Sequence, residues 1–315
     1  MVSSGLAIAA PVVVLAVALI IDRMIGDPQS PYHPVALLGR FIGWWGKPAR
    51  YSSRLQRAAG LFFWLLTVLV FTIPFLLFGK LAPLYIFLPG APFLLKSCFA
   101  WRSLEDHTQA VVEAVRGDLA TGRERLRMMV SRDTTSLDRE HILSAAYESM
   151  TENLTDSIVS PLCYYVIFGL PGAAVFRAAN TMDAMLGYRD ERERLGWCSA
   201  RMDDLLNFVP ARMTVLFLLL YFIVRRRLKP ALHILRRDRR NRPGFNGGIV
   251  MAAMAGGIGV RFEKPGVYSI GDEERSLRDG GKDILRAVRA VTLMVAITAG
   301  STLFLLGTWI NNIGI

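Results

Sequence analysis

Between Ser131 and Asn207 acids, amides and arginines crowd beside apolar runs. Three carboxylates in this stretch, Glu148, Glu152 and Asp156, are spaced by four residues. On an α-helix that spacing puts them on one face, drifting by about 40° per step. Like charges so close repel, and a cation answers the repulsion. Carboxylate oxygens suit Mg²⁺, which is bound through one or two carboxylates together with substrate phosphates. Asn153 sits beside the stripe. A solvated acidic helix face would show the same spacing. The placement of the stripe, directly before an apolar stretch that begins at Ile158, favours a site over a solvated face. Upstream, Arg132, Asp133 and Thr134 combine an arginine with adjacent hydroxyls, a combination able to bind phosphate. The other reading of those residues is a plain turn, with Ser136 or Asp138 capping the helix that follows.

Two more polar groups lie downstream. Asn180 and Asp183 form one; Arg201, Asp203, Asp204 and Asn207 form the other. Each alone reads as a helix-end pair, and together they suggest a converging site. Nearer the start, G-D-P-Q-S-P-Y-H-P-V holds Asp27 and His33 in a proline-flanked turn. His107, His141 and His233 have no metal-ligand spacing with one another. Cys98, Cys163 and Cys198 are far apart and form no C-x-x-C, so a zinc knuckle, a redox pair and a disulfide framework have no support. The chain has no G-x-x-x-x-G-K-[ST] phosphate loop, no G-x-G-x-x-G and no G-x-S-x-G nucleophile elbow.

The elements that must position these groups are apolar. Hydrophobic residues make up 52% of the chain, and the mean hydropathy is +0.35, both high for a protein surrounded by water. Candidate membrane spans are 6–21, 59–79, 82–101, 158–178, 208–224 and 288–310, separated by polar regions 22–58, 102–157, 179–207 and 225–287. The expected fold class is therefore all-α: a polytopic integral membrane protein with about four to six membrane helices and substantial helical loops, organised as a single membrane-embedded domain, 1–315. The first run lacks a basic region before it and a clear small-x-small cleavage site after it, so it reads as an uncleaved membrane segment. The net charge of +11 fits the Lys/Arg excess of cytoplasmic loops better than a nucleic-acid footprint. Basic residues concentrate in 22–58 and 225–287, which places those regions and 102–157 in the cytoplasm of a multi-pass cell-membrane protein. Segments 158–178 and 208–224 either both cross or neither does. Leu104, Val111, Val112 and Val115 recur at helical spacing. Residues 244–260 are rich in small side chains suited to close helix packing or to backbone approach by a ligand.

The ordered runs G-D-P…H-P-V-A-L-L-G-R-F-I, R-D-T-T-S-L-D…E-S-M-T-E-N-L-T-D-S-I-V-S-P-L, N-T-M-D-A-M-L-G-Y, W-C-S-A-R-M-D-D-L-L-N-F-V-P-A-R and N-G-G-I-V-M-A-A-M-A-G-G-I-G-V-R resemble the CbiB/CobD family of cobalamin biosynthesis. The resemblance spans about residues 22–290. It implies an adenosylcobinamide-phosphate synthase: ATP-dependent amide formation between the propionate f carboxylate of adenosylcobyric acid, a corrinoid, and an aminoalcohol or its phosphate, typically aminopropanol phosphate. ATP and Mg²⁺ are the implied cosubstrate and cofactor, and the lipid membrane the implied setting. Under this resemblance Glu148, Glu152 and Asp156 are assigned to Mg²⁺ or amine binding, and Arg132 and Arg201 to phosphates. Asp183, Asp203 or Asp204 complete the metal shell or accept the amine proton. Asp133, Thr134, Asn153, Asn180, Asn207 and Asn246 are further candidates for cofactor binding, and the small-residue region 246–260 for the flat corrin or a backbone-bound phosphate. One departure stands out: family members often read N-A-G-x-P-E, and here Val250 and Met251 replace Pro-Glu, so no role of that glutamate carries over. A non-catalytic membrane transporter or an AmpE-like sensory protein on the same scaffold is the alternative.

Overall fold

Helices dominate because in lipid a helix satisfies its own backbone, and the apolar helices accommodate internal prolines such as Pro74, Pro89, Pro92 and Pro171. The computed structural model describes residues 2–28 and 30–313. In chain order it comprises α1 (Val2–Ile25), α2 (Pro34–Trp45), α3 (Gln56–Leu81), α4 (Leu84–Lys96), α5 (Trp101–Gly117), α6 (Leu119–Arg127) and α7 (Arg139–Leu154). A π turn at Thr155–Val159 leads into α8 (Ser160–Leu186). Then come α9 (Glu193–Leu206), α10 (Phe208–Val224), α11 (Leu228–Asp238), α12 (Gly247–Ile258), β1 (Phe262–Lys264), β2 (Tyr268–Ile270) and α13 (Leu277–Ile313).

Among the described residues four stretches are long and apolar enough to cross a membrane: Gln56–Leu81, Leu84–Gly117, Arg139–Leu186 and Leu277–Asn312. The pair Glu193–Leu206 and Phe208–Val224, bent by 42°, passes the same test only when taken together, as a broken span or a re-entrant loop. The side chains agree with a lipid setting. Leu61, Phe62, Leu65, Leu69 and Val70 of α3, and Ile297, Phe304, Leu305 and Trp309 of α13, are exposed. In water such continuous apolar faces would drive aggregation; against lipid they are satisfied. The protein is an all-α, multi-pass membrane protein. The span expected at 158–178 is the interior of a longer helical run, and 208–224 qualifies only together with α9.

The chain divides into two compact units. The first comprises residues up to Ala100, Ser160–Leu206 and those from Ala296 on. In it α3 packs on α8 and α9, α1 on α4, and α2 on α8. Leu38, Ile42, Trp45, Trp64, Met182, Leu186 and Leu195 make a buried core. Trp45 stacks on Phe63 with ring centroids 5.3 Å apart, and its indole N–H donates to Thr67 Oγ1 at 3.1 Å.

The second unit comprises Trp101–Val159 and Asn207–Val295. In it α5 packs on α6 and α7, and α12 on α10 and α11. Leu104, Val111 and Val115 are buried as their spacing predicts, each worth about 1.5–3 kcal/mol of apolar transfer. Asp138 caps α7, its carboxylate accepting from the His141 backbone N–H at 2.9 Å. Strands β1 and β2 form an antiparallel hairpin pairing Phe262 with Ile270, Glu263 with Ser269 and Lys264 with Tyr268. Its tight loop needs Gly266, whose φ is +70°. The hairpin is pinned to α7 where the Glu263 backbone N–H donates to Ser144 Oγ at 2.7 Å.

Candidate active site

The densest buried polar network in the second unit is built on α7. Glu148 is only 1% exposed, and both its oxygens are engaged. Oε1 accepts from Ser144 Oγ at 2.6 Å. Oε2 accepts from Arg132 Nη2 at 2.7 Å and from the Tyr268 hydroxyl at 2.6 Å. One turn on, Glu152 Oε1 accepts from Arg242 Nη2 at 2.5 Å. The glycine at 247 is what lets this second pair sit at the start of α12: a Cβ there would strike the Arg242 guanidinium and approach Glu152 Oε1 to 3.3 Å. Beyond it, Arg212 Nη1 donates to the Asn246 side-chain oxygen at 2.8 Å.

Two cationic donors in this network remain unmet by the protein. Arg132 Nη1 is buried and has no hydrogen-bond partner. Lys264, half-buried on β1, forms no ion pair among the described residues. Burial, followed by the nearby Arg132 charge, pulls the Lys264 ammonium below its ordinary value, with Arg242 adding to the effect and Glu148 opposing it. Such a lysine gains from an arriving anion. The neighbouring groups are shifted too. Burial and then the Glu148 charge push the Tyr268 phenol well above the usual tyrosine range, so it stays a donor. Burial is the largest single influence and opposes the charge on Arg242, but Glu152, Tyr268 and Asp156 together outweigh it and hold that guanidinium above its normal value.

The carboxylate stripe therefore differs from its reading by spacing. Its repulsion is met within the protein by Arg132 on Glu148 and Arg242 on Glu152. Among the described residues no group of three His, Cys, Asp or Glu side chains could hold a metal ion, and three donors already occupy the oxygens of Glu148. The α spacing also ends at Thr155, where the π turn begins, so Asp156 does not continue the stripe at the α angle. Glu148, Glu152 and Asp156 do not fit a dedicated three-carboxylate Mg²⁺ cage.

Several other sequence candidates serve local structure. Asp133 accepts from the backbone N–H and hydroxyl of Thr135 at 2.9 and 2.8 Å. The Thr134 hydroxyl is buried and donates to the Arg123 carbonyl at 3.1 Å. The Asn153 amide donates to the Ser149 carbonyl and accepts from Ser157, both on its own helical run. Asn207 is buried at the start of α10. The small residues of α12 are spent on packing. A Cβ at Gly256 would strike Pro230 and Ile234, and one at Gly257 would strike the Phe222 ring. Val250 and Met251, at the Pro-Glu position, are buried.

The first unit holds a separate set of polar side chains. Asn180 donates to Asp203 Oδ1 at 3.2 Å, joining two of the sequence clusters. Asp183 and Asp204 are half-buried, and Arg201 is exposed. Lys96, which the sequence places inside an apolar run, is buried and lies 3.1 Å from Asp22, itself fully buried. It also bonds Asp27. His33 nearby is held below its ordinary pKa by burial, with Lys96 and Arg177 reinforcing and Asp27 opposing. Spacing gave no signal for Lys96, Arg242, Lys264 or Tyr268. Their only trace was polar character, close to an apolar span or in the loops beyond α11.

Fold and site together define a polytopic α-helical membrane protein with a buried ionic network in which one guanidinium nitrogen lacks a partner. Comparison with known proteins gives the family. Residues 15–294 match the family model described as CobD/Cbib protein, and the chain belongs to that family. It is 44% identical over 286 residues to a "Probable cobalamin biosynthesis protein CobD" of Thermococcus kodakarensis, covering 88% of this chain and 90% of the relative. A protein of the same description from Methanothermobacter thermautotrophicus is 40% identical over 262 residues, covering 82% and 86%. The "Cobalamin biosynthesis protein CobD" of Pelobacter propionicus is 37% identical over 309 residues, covering 93% and 95%. No solved structure matches the chain.

Proposed function

We propose that this protein acts in cobalamin biosynthesis as an ATP-dependent amide ligase of the cytoplasmic membrane. It joins aminopropanol or its phosphate to the propionate f carboxylate of adenosylcobyric acid. The observation that carries the reading is the pair of unmet cationic donors, Arg132 Nη1 and Lys264, beside the Arg242–Glu152 pair. An inert carboxylate needs activation before an amine can displace its oxygen. A carboxylate oxygen attacks the γ-phosphorus of ATP, ADP leaves, and an acyl phosphate forms. The amine nitrogen then attacks the acyl carbon, loses a proton to a base, and the tetrahedral adduct expels phosphate. Charge on the transferring phosphoryl group is what fixed cations stabilise best.

In this reading Lys264 and Arg132 hold phosphoryl oxygens. Glu148, saturated by Ser144, Arg132 and Tyr268, is a positioning residue. Glu152, whose side chain is 33% exposed, is the base within reach of a bound amine. The basic loops then face the cytoplasm, the side that supplies ATP.

Purified protein in detergent, given adenosylcobyric acid, MgATP and aminopropanol phosphate, is expected to yield a product whose mass is the sum of acid and amine less one water. One ADP and one phosphate should be released per amide. Intact substrates, or amide formed without ATP consumption, would overturn the reading.

A further inference from the structure

A second cavity in the Trp101–Val159 and Asn207–Val295 unit shares no lining residue with the Glu148 network. It has a volume of about 370 Å³ and lies among α5, α7 and the first turns of α13. Five of its lining side chains are cationic: Arg116, Arg278, Lys282, Arg286 and Arg289. Arg286 and Arg289 are committed to carboxylates, pairing with Asp283 and Glu105 at 2.7 Å each. Arg116, Arg278 and Lys282 form no ion pair or hydrogen bond among the described residues, and Glu113 is the single carboxylate in the wall. Arg278 and Lys282 are four residues apart on α13, on one face. Like charges gathered without a counter-ion repel, so their shared cavity is a place where a polyanion is welcome.

An independent observation comes from the cavity wall. Tyr147 is 6% exposed, yet its hydroxyl has no hydrogen-bond partner among the described residues. It lies over Gly281, where any Cβ would collide with the phenol oxygen. The ring is buried, while the hydroxyl is reached from the cavity that Tyr147 lines, placed to donate a hydrogen bond to whatever occupies it. Val112, Met150 and Leu285 supply an apolar flank.

We propose that this cavity binds a phosphate-bearing ligand, its phosphate held by Arg116, Arg278 and Lys282 and hydrogen-bonded by Tyr147. Two sources share this chemistry. Residues 290–313 of α13 carry no charged side chain, so the cations end where an apolar helix begins. That is the depth at which a phospholipid head group lies. A soluble phosphate is the other source.

The test reads thermal midpoints of the full-length protein in nanodiscs. One arm titrates inorganic phosphate in pure phosphatidylcholine. The other compares phosphatidylcholine with and without phosphatidic acid, free of phosphate. A ligand that binds only the folded state raises the midpoint. The wild type should shift in at least one arm: phosphatidic acid alone identifies a lipid site, and inorganic phosphate a soluble ligand. The Arg278→Gln/Lys282→Gln variant should bind at least about tenfold more weakly, and Tyr147→Phe about fivefold more weakly. The charge-conserving pair Arg278→Lys/Lys282→Arg should retain binding, which separates lost charge from lost fold. General salt effects are common to wild type and variants and cancel. No shift in either arm, or equal shifts in wild type and the Gln variant, would overturn the proposal. The readout is binding, so its failure would leave the proposed ligase reaction standing.

Discussion

Replacing Glu148 by Gln should destabilise the protein strongly, and the cost should depend on Arg132. The carboxylate is 1% exposed and accepts three hydrogen bonds, from Ser144, Arg132 and Tyr268. The Arg132 side chain is 16% exposed, and its other terminal nitrogen is already without a partner. Removing the carboxylate charge strands that guanidinium in a poorly solvated site. Breaking a buried pair from one side costs about 3–5 kcal/mol. Arg132→Met should cost a similar amount, because it strands Glu148. The double variant leaves neither charge uncompensated. It should cost less than the sum of the two, with a coupling of about 2–3 kcal/mol. Equilibrium unfolding of the four proteins in mixed micelles, followed by helical circular dichroism, measures each corner of the cycle. Singles within about 0.5 kcal/mol of wild type, or a double variant additive within that margin, would refute the claim that these two side chains form one buried ionic unit.

The remaining expectations can be checked on the same preparations. Lys264→Met should lower kcat/KM for ATP by about 100-fold, the scale for losing one fixed charge at a developing anion, with little change in the unfolding midpoint. Glu152→Gln should lower kcat by at least about 100-fold if that carboxylate takes the amine proton; wild-type turnover would remove it from the mechanism. Burial works against ionised Asp238, but the Arg237 guanidinium and the Gly271 backbone N–H outweigh it and hold the carboxyl below its usual range. Its contribution to stability is therefore fully present above about pH 4, the ordinary carboxylate value. It is lost as pH falls through the depressed folded value. Asp238→Asn should flatten that acid limb in a pH series of unfolding free energies. Gly257→Val should destabilise by about 1–3 kcal/mol through overpacking, because its side chain would enter the space of the Phe222 ring.

Much of the helical plan was legible because its signals are local. Asp138 as a cap, the Leu104–Val115 period and the apolar runs each need only neighbouring residues to be read. The ionic network was half legible. Glu148, Glu152 and Arg132 are conspicuous in sequence, yet their partners lie far along the chain: Arg242 is 90 residues from Glu152 and Tyr268 is 120 from Glu148. No periodicity reports a contact of that separation. Spacing alone therefore showed the repelling carboxylates without their compensating arginine, which lies beyond α11 and read as a topology signal. In the structure that basic stretch is largely spoken for, with Arg227 on Glu274 and Arg237 on Asp238 and Asp272. Lys96 was hidden differently: one charge in a window of leucines and phenylalanines hardly moves the average. The π turn left no trace, because nothing in T-D-S-I-V separates five residues per hydrogen-bonded ring from four.

The small β hairpin gives the molecule a cassette. Lys264 and Tyr268 are cross-strand partners, so the ammonium and the phenol that reach α7 travel together on nine residues. The inward-facing Phe262 and Ile270 tie the segment to its helices, so a lineage could re-tune positions 264 and 268 while keeping those two anchors. Variation in the charge presented to Glu148 and Glu152 would then be written there first, on a short two-stranded piece of an otherwise helical architecture.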